Sequence, residues 1–211
     1  MAYTGRILHS DACMAEGAQA LAKAHPPFAT LLARLGPPPL RRRDDGFDAL
    51  LSAIISQQVS TAAARAIRGR MEAAGLTDPA TLTAVSDEAL RAAGLSRQKI
   101  RYARALAEAG IDFDALRAME DAQIVAQLTA LPGIGRWTAE IYAMFSLGRA
   151  DVFAPNDLAL QEGARMLLAL PDRPREAAMR RIAEDWAPWR TVAAGMLWAY
   201  YGHMKQREGT L

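Results

Sequence analysis

The sequence predicts an all-α protein of about ten helices. Apolar residues recur at helical spacing, and good helix formers such as Ala, Leu, Arg and Glu fill the positions between them. The clearest apolar stripe consists of Phe47, Leu50, Leu51, Ile54 and Ile55. The sequence contains no alternating run of Val, Ile and Thr and no Asn-Gly turn, so a β-sheet is not expected.

The same spacing places the helices in order along the chain. Two helices are expected over 11–24 and 27–35, before the break Gly36-Pro37-Pro38-Pro39, and a third begins at Phe47. The later predicted helices cover 97–109, 120–129, 137–147, 158–169, 174–185 and 190–205. Further breaks fall at Gly75, Gly94, Gly110, Pro132-Gly133, Pro155 and Pro171. Because no low-complexity linker separates the helices, a single compact unit over residues 1–211 is expected.

Composition excludes several classes of protein. The chain is 51% hydrophobic and 23% charged, which is typical of a globular domain and not of a disordered, collagenous or coiled-coil chain. No apolar stretch approaches the roughly 20 residues of a membrane helix, and the N-terminus lacks the pattern of a signal peptide. A single cysteine, Cys13, excludes an internal disulfide, a cysteine-ligated zinc site and a cysteine-held iron–sulfur cluster, so a cytoplasmic protein is expected. The three histidines, His9, His25 and His203, are too dispersed to predict a metal site.

The cations are mostly arginine. Of the 25 Lys and Arg residues, only Lys23, Lys99 and Lys205 are lysines, and the net charge is +2. Arginine binds phosphate through two parallel hydrogen bonds, so the composition slightly favours a nucleic-acid partner. Candidate contacts to a phosphate backbone are Arg41, Arg42, Arg43, Arg65, Arg68 and Lys99, although for each of them taken separately the solvated face of a helix is the favoured interpretation.

Residues 131–140, LPGIGRWTAE, carry the most specific pattern in the chain. Two glycines two positions apart join the end of one predicted helix to the start of the next. Such a turn exposes backbone N–H groups at a helix N-terminus, where the helix dipole favours an anion, and the missing Cβ atoms allow a phosphate to approach. Arg136 and Thr138 can add a charge and a hydroxyl group. The alternative is an ordinary corner between two helices.

A carboxylic acid follows twenty residues after Trp137, in the segment DVFAPNDLAL over 151–160. Asp157 stands just beyond Pro155 and before an apolar run. Either Asn156 or Asp157 could be the N-cap of the next helix, which is the ordinary role of an acid in this position.

Together these two segments resemble the helix-hairpin-helix DNA glycosylases, in particular the branch that removes alkylated bases (the 3-methyladenine DNA glycosylase II type). Supporting similarities lie in Ile54–Ser60, in Gly94–Tyr102 and in Trp186–Trp198, and the resemblance covers about residues 14–205. The chain resembles a short form that has no room for the N-terminal β domain of a longer bacterial relative. The resemblance implies a helix-hairpin-helix motif over 120–147. It also implies two packed lobes with the active-site cleft between them, a central lobe of about 47–150 and a second lobe of the helices in about 11–36 and 151–205.

The resemblance also assigns roles to residues. Asp157 aligns with the family's catalytic acid, the Asp that ends a Pro-Asx-Asp run. Gln58 aligns with the residue that fills the gap left by an extruded base, although Gln57 and Gln58 could simply be exposed at a helix end. Trp137 occupies the position where bifunctional relatives carry a nucleophilic lysine, so hydrolysis without strand cleavage is expected. Trp137 and Trp198 are the expected base pocket, whose indole faces suit positively charged alkylated purines.

The resemblance implies further expectations for the hairpin. Gly133, Ile134, Gly135, Arg136 and Thr138 are expected to bind the DNA backbone. The carbonyls of Leu131 and Ile134 are the expected ligands of a monovalent cation, Na⁺ or K⁺, with no other cofactor.

One position departs from the family pattern. Ile141 occupies the position of a pocket tyrosine in a relative, and the neighbouring Tyr142 points to another side of the helix. Met144 and Phe145 could line the pocket or belong to the core. Trp186 and Trp189 are expected in the core.

The sequence therefore predicts a monomeric, monofunctional glycosylase that excises alkylated purines from double-stranded DNA, in the bacterial cytoplasm or a eukaryotic nucleus. The alternatives are a glycosylase of the same scaffold for a deaminated or oxidised base, a non-catalytic DNA-binding module, and a purely structural helical bundle.

Overall fold

The structure, a computed structural model, describes the backbone of residues 5–208 and the side chains of residues 5–206. The described part of the chain contains thirteen helices, and its only β-pairing is an isolated antiparallel bridge between Ile7 and Arg149. The helices are α1 (Asp11–Ala24), α2 (Pro26–Leu35), α3 (Phe47–Ser56), α4 (Thr61–Ala73), α5 (Pro79–Ala84), α6 (Asp87–Ala92), α7 (Arg97–Glu108), α8 (Phe113–Ala118), α9 (Asp121–Thr129), α10 (Arg136–Phe145), α11 (Leu158–Leu167), α12 (Glu176–Glu184) and α13 (Arg190–Glu208). The all-α prediction is confirmed.

Four helices were not among the predicted ranges: α4, α5, α6 and α8. Helix α4 buries only Ala64, Ile67 and Met71, so its apolar stripe is weak. The other three helices have six residues each, too few to show a helical period. Their signals are the N-caps, since Asp78, Ser86 and Asp112 each accept a hydrogen bond from a backbone N–H of the first turn.

The chain divides into two compact units. Unit 1 contains residues 43–142, and unit 2 contains residues 5–42 and 143–208 of the described chain. Helices α3 to α9 and most of α10 belong to unit 1. Helices α1, α2, α11, α12 and α13 belong to unit 2, together with the last residues of α10.

The core of unit 1 is built on α3. The four apolar residues of α3 that face inward, Leu50, Leu51, Ile54 and Ile55, are all buried, and α3 packs against α4 and α7. The opposing face of α7 contributes Ile100, Ala103 and Leu106. The predicted stripe thus covers the inner face of this helix.

The core of unit 2 is built on α13, which packs against α1, α2 and α11. Trp186 and Trp189 are buried, so their assignment to the core is confirmed. The ring of Trp189 lies so close to α1 that a Cβ atom on Gly17 would stand 2.5 Å from it.

Within the described residues, no helix has the length and apolar character needed to cross a membrane.

Candidate active site

The glycine turn between α9 and α10, here called the hairpin turn, consists of residues 131–135 in unit 1. Gly133 adopts a φ of +88°, and a Cβ atom there would lie 2.3 Å from the ring of Tyr102. Ile134 is buried, with 3% of its surface exposed, whereas Gly135 and Arg136 are exposed. The buried side chain of Ile134 therefore anchors the turn to unit 1, and the backbone of Gly135 is exposed to solvent.

The first turn of α10 carries three of the predicted site residues. Trp137 is 45% exposed, which is unusual for a tryptophan, and Thr138 is half-buried. The guanidinium Nε of Arg136 donates to the buried carboxylate of Glu140 at 3.0 Å. The sequence reasoning missed Glu140, which restrains the arginine predicted to contact phosphate.

The segment between α3 and α4 carries both predicted glutamines. We call residues 57–60 the wedge turn. Gln58 is exposed and has a φ of +56°, a backbone conformation that few residues other than glycine adopt. Gln57 is half-buried, and its Nε2 donates to the carbonyl of Gly133 at 2.7 Å. Gln57 is thus not a free surface residue, which the sequence did not reveal.

Asp157 is the N-cap of α11 in unit 2. Its Oδ1 accepts the N–H of Leu160 at 3.0 Å and the indole Nε1–H of Trp198 at 3.2 Å. The capping role considered for this residue is therefore real, and the same carboxylate is also bound to a predicted site residue.

The loop before Asp157 is held from within unit 2. Gln161, only 7% exposed, donates from Nε2 to the carbonyl of Pro155 at 2.8 Å. Asn156, the alternative cap, is exposed. Nothing in the local pattern singled out Gln161, because a glutamine inside a helix is ordinarily solvated.

Trp198 lies beside Phe145, with ring centroids 5.6 Å apart and an interplanar angle of 33°. Both rings line a crevice of about 410 Å³, open solvent included, together with Met144, Gly195 and the segment 38–41. Met144 is buried and Phe145 is half-buried, so both belong to this wall as well as to the packing of unit 2. An aromatic pair beside a carboxylate suits a flat, electron-poor ligand.

Two other positions that the sequence left open, Tyr142 and Arg68, have partners within unit 1. The hydroxyl of Tyr142 accepts the N–H of Gly46 at 2.9 Å, and burial raises the pKa of this phenol. Tyr142 therefore packs inside the unit. Arg68 of α4 pairs with Glu72 one turn further along the same helix and with Asp48 of α3, so it is tied to protein carboxylates.

Lys99 is neither a phosphate contact nor a solvated residue. It is 8% exposed, and its Nζ donates to the carbonyl of Ile55 at 2.6 Å. Burial lowers the pKa of this ammonium group.

Comparison with known proteins places these features in a family. Residues 51–188 match the HhH-GPD superfamily of base excision DNA repair proteins. The chain is 33% identical over 165 residues to DNA-3-methyladenine glycosylase 1 of Schizosaccharomyces pombe, a match that covers 74% of this chain and 72% of that protein. The crystal structure of a DNA-3-methyladenine glycosidase from Bacillus halodurans superposes with a TM-score of 0.80 at 37% identity, covering 88% of both chains. A 3-methyladenine DNA glycosylase of S. pombe in complex with abasic DNA superposes with a TM-score of 0.73 at 31% identity, covering 87% of this chain and 95% of that one.

Proposed function

The chain belongs to the HhH-GPD superfamily of base excision DNA repair proteins, and from that premise we propose that it excises alkylated purines from duplex DNA. The relatives named above are 3-methyladenine DNA glycosylases or glycosidases, and one of them is bound to abasic DNA, the product of such a reaction. The observation that carries the proposal is the carboxylate of Asp157, held on one oxygen by Leu160 and Trp198 next to an aromatic pair.

The reaction is hydrolysis of the N-glycosidic bond. As the bond between the base and C1′ breaks, positive charge develops on the deoxyribose, and a fixed carboxylate stabilises that charge without having to reorganise. Water adds to C1′, the base leaves with the bonding electron pair, and Asp157 can orient or deprotonate that water. The products are a free base and an abasic site.

The aromatic residues point to the kind of base. N3- and N7-alkylated purines carry a positive charge, and the faces of Trp198 and Phe145 are attractive to a cation. Such bases also leave readily, so no strong acid need protonate them. We assign Trp137, exposed on the first turn of α10, to the same recognition.

We assign the binding of the DNA backbone to unit 1. The N–H groups of Gly133 and Gly135 and the side chains of Arg136 and Thr138 would bind phosphate without reading sequence. The N–H of Ile134 already donates to the Leu131 carbonyl, so Ile134 would contribute through the shape of the turn. Gln58, exposed on a strained turn, would occupy the space left by the extruded base.

A monovalent cation, Na⁺ or K⁺, would be held by the carbonyls of Leu131 and Ile134. The Leu131 carbonyl accepts the N–H of Ile134 at 3.1 Å, and a carbonyl has a second lone pair to offer. Bound there, the cation would supply positive charge to an adjacent phosphate. Replacing K⁺ with tetramethylammonium at constant ionic strength should then weaken DNA binding.

The positions of Trp137 and Lys99 support hydrolysis without strand cleavage, because strand cleavage by bifunctional relatives needs a nucleophilic lysine. Trp137 stands where bifunctional relatives carry the nucleophilic amine, and Lys99 is occupied by its bond to Ile55. We propose that the enzyme acts as a monomer, in the compartment that holds the chromosome: the cytoplasm of a bacterium, or the nucleus if its source is eukaryotic.

The test is incubation of the purified protein with a duplex that contains 7-methylguanine or 3-methyladenine, followed by detection of the free base. We expect base release and a strand that breaks only after treatment with alkali. A panel with hypoxanthine and 8-oxoguanine separates this proposal from another lesion class. DNA binding without release of any base would identify a non-catalytic module.

A further inference from the structure

The wedge turn has a strained backbone whose conformation needs support from outside the turn. Gln58 has a φ of +56°, and this left-handed conformation brings the Cβ atom of a residue other than glycine too close to the following carbonyl oxygen. Such residues persist where the surrounding structure holds them in place. Gln58 is itself exposed and is followed by Val59, a residue that is 38% exposed, so the support does not come from burial of the turn itself.

Support comes from two side-chain hydrogen bonds to backbone carbonyls. On the helix side, the Nζ of Lys99 donates to the Ile55 carbonyl at 2.6 Å, which satisfies an oxygen at the end of α3 and places a positive charge at the negative end of the helix dipole. On the other side, the Nε2 of Gln57 donates to the Gly133 carbonyl at 2.7 Å. The residue immediately before Gln58 is therefore bound to the hairpin turn, 76 positions away in the sequence.

The hairpin turn is itself fixed at the same glycine. The ring of Tyr102 occupies the space next to Gly133 where a side chain would otherwise stand, and the Nε2 of Gln98 donates to the hydroxyl of Tyr102 at 2.5 Å. Lys99 and Tyr102 both lie on α7. A single helix thus supports the end of α3 and the hairpin turn, and Gln57 joins the two turns directly.

We infer that Gln57 is a positioning residue that fixes the Gln58 wedge relative to the phosphate-binding hairpin turn. The inference rests on the proposed function. When the hairpin turn is bound to the DNA backbone, the hydrogen bond from Gln57 to Gly133 holds the wedge turn in the conformation that inserts Gln58 into the stack of DNA bases. Without that bond the wedge turn can relax, and binding to phosphate no longer places Gln58 in the gap.

The experiment measures single-turnover excision of an alkylated purine in two duplexes, one with the normal base opposite the lesion and one with an abasic analogue opposite it. The unpaired lesion is easier to extrude, so its excision depends less on the wedge. Gln57→Met keeps the length of the side chain and removes the donor. We expect about a tenfold loss of rate on the paired duplex, as for loss of one hydrogen bond, and less than about a twofold loss on the unpaired duplex.

Three further variants make the outcome decisive. Gln58→Ala should show the same dependence on the opposite base. Gln123→Ala, which removes a glutamine that accepts the Glu120 N–H at the far end of α9, should leave both rates unchanged. Gln57→Asn keeps the amide but is too short to reach Gly133, and it replaces Gln57→Met if that variant does not fold.

Equal losses on the two duplexes would overturn the inference, because general damage to the fold does not depend on the opposite base. Full activity of Gln57→Met on the paired duplex, with Gln58→Ala impaired, would overturn it as well, as would a Gln58→Ala variant that retains full activity. If the wild-type protein releases no base from either duplex, it is the proposed function that fails.

Discussion

The loop of Asp157 in unit 2 and the two turns of unit 1 hold their functional groups in different ways. In unit 2 the side chain is fixed: Oδ1 of Asp157 accepts two hydrogen bonds, and Gln161 holds the preceding loop through the Pro155 carbonyl. In unit 1 the backbone is fixed: side chains from elsewhere bind the carbonyls of Ile55 and Gly133, while Gln58 remains exposed.

The difference follows from what each region has to do. A carboxylate that stabilises developing charge is effective when it is already in place, because movement during the reaction would cost energy. A side chain that enters a base stack has to move, so only its point of attachment can be fixed. The variants below should separate these two designs.

The largest effect is expected from Asp157→Asn. The amide retains an oxygen that can accept from Leu160 and Trp198, so the helix cap and the fold should persist while the negative charge is lost. We expect the single-turnover excision rate to fall by about 10²–10³-fold, the range seen when one electrostatic stabiliser is removed, with unchanged DNA binding.

A matched control for this variant is Asp78→Asn. Asp78 is also an N-cap, since it accepts the N–H of Thr81 at 2.9 Å, but it belongs to α5 of unit 1. Its rate should match that of the wild type. Near-wild-type excision by Asp157→Asn would refute the assignment of Asp157.

Gly133→Ala should have the next largest effect, and on folding. Its φ of +88° disfavours a side chain, and the new methyl group would collide with Tyr102. We expect the free energy of unfolding to fall by about 2–4 kcal/mol from backbone strain and overpacking together, as measured by denaturant unfolding. Tyr102→Ala in the same chain should restore part of that loss, because it removes the collision but not the strain. No change in stability would mean that the hairpin turn is not fixed as described.

Trp198→Phe tests the fixed side chain of unit 2 more gently. Phenylalanine keeps an aromatic ring beside Phe145 but lacks the indole N–H that binds Asp157. Hydrogen bonds to charged groups contribute roughly 1.5 kcal/mol or more, so loss of this bond should lower the excision rate about tenfold. Trp189→Phe removes an indole from the core of the same unit and should lower stability but not the rate of the folded enzyme. If both variants lose rate equally, the bond to Asp157 has no special role.

The parts of the candidate site that could be predicted from the sequence are those formed by residues close together in the chain. The hairpin glycines and Asp157 could be singled out because a turn or a helix cap depends on only a few adjacent residues. The supports were not found, because the bonds from Gln57 to Gly133 and from Lys99 to Ile55 join residues 76 and 44 positions apart. The fold class followed from periodicity, whereas the short helices α5, α6 and α8 were too brief for it.

The smallest effect is expected from Gly135→Ala, and it distinguishes the two glycines of the hairpin turn. Gly135 does not have a positive φ, and a Cβ atom there would meet nothing within 4 Å, so stability should change by less than about 0.5 kcal/mol. The added methyl group would stand on exposed backbone, where a phosphate has to approach closely. We therefore expect a few-fold weaker binding to undamaged duplex, measured at fixed ionic strength, and an unchanged melting temperature. Gly133→Ala should show the opposite balance, a loss of stability first. If Gly135→Ala binds DNA as tightly as the wild type, the exposed glycine does not touch the backbone, and the hairpin turn holds DNA through its side chains instead.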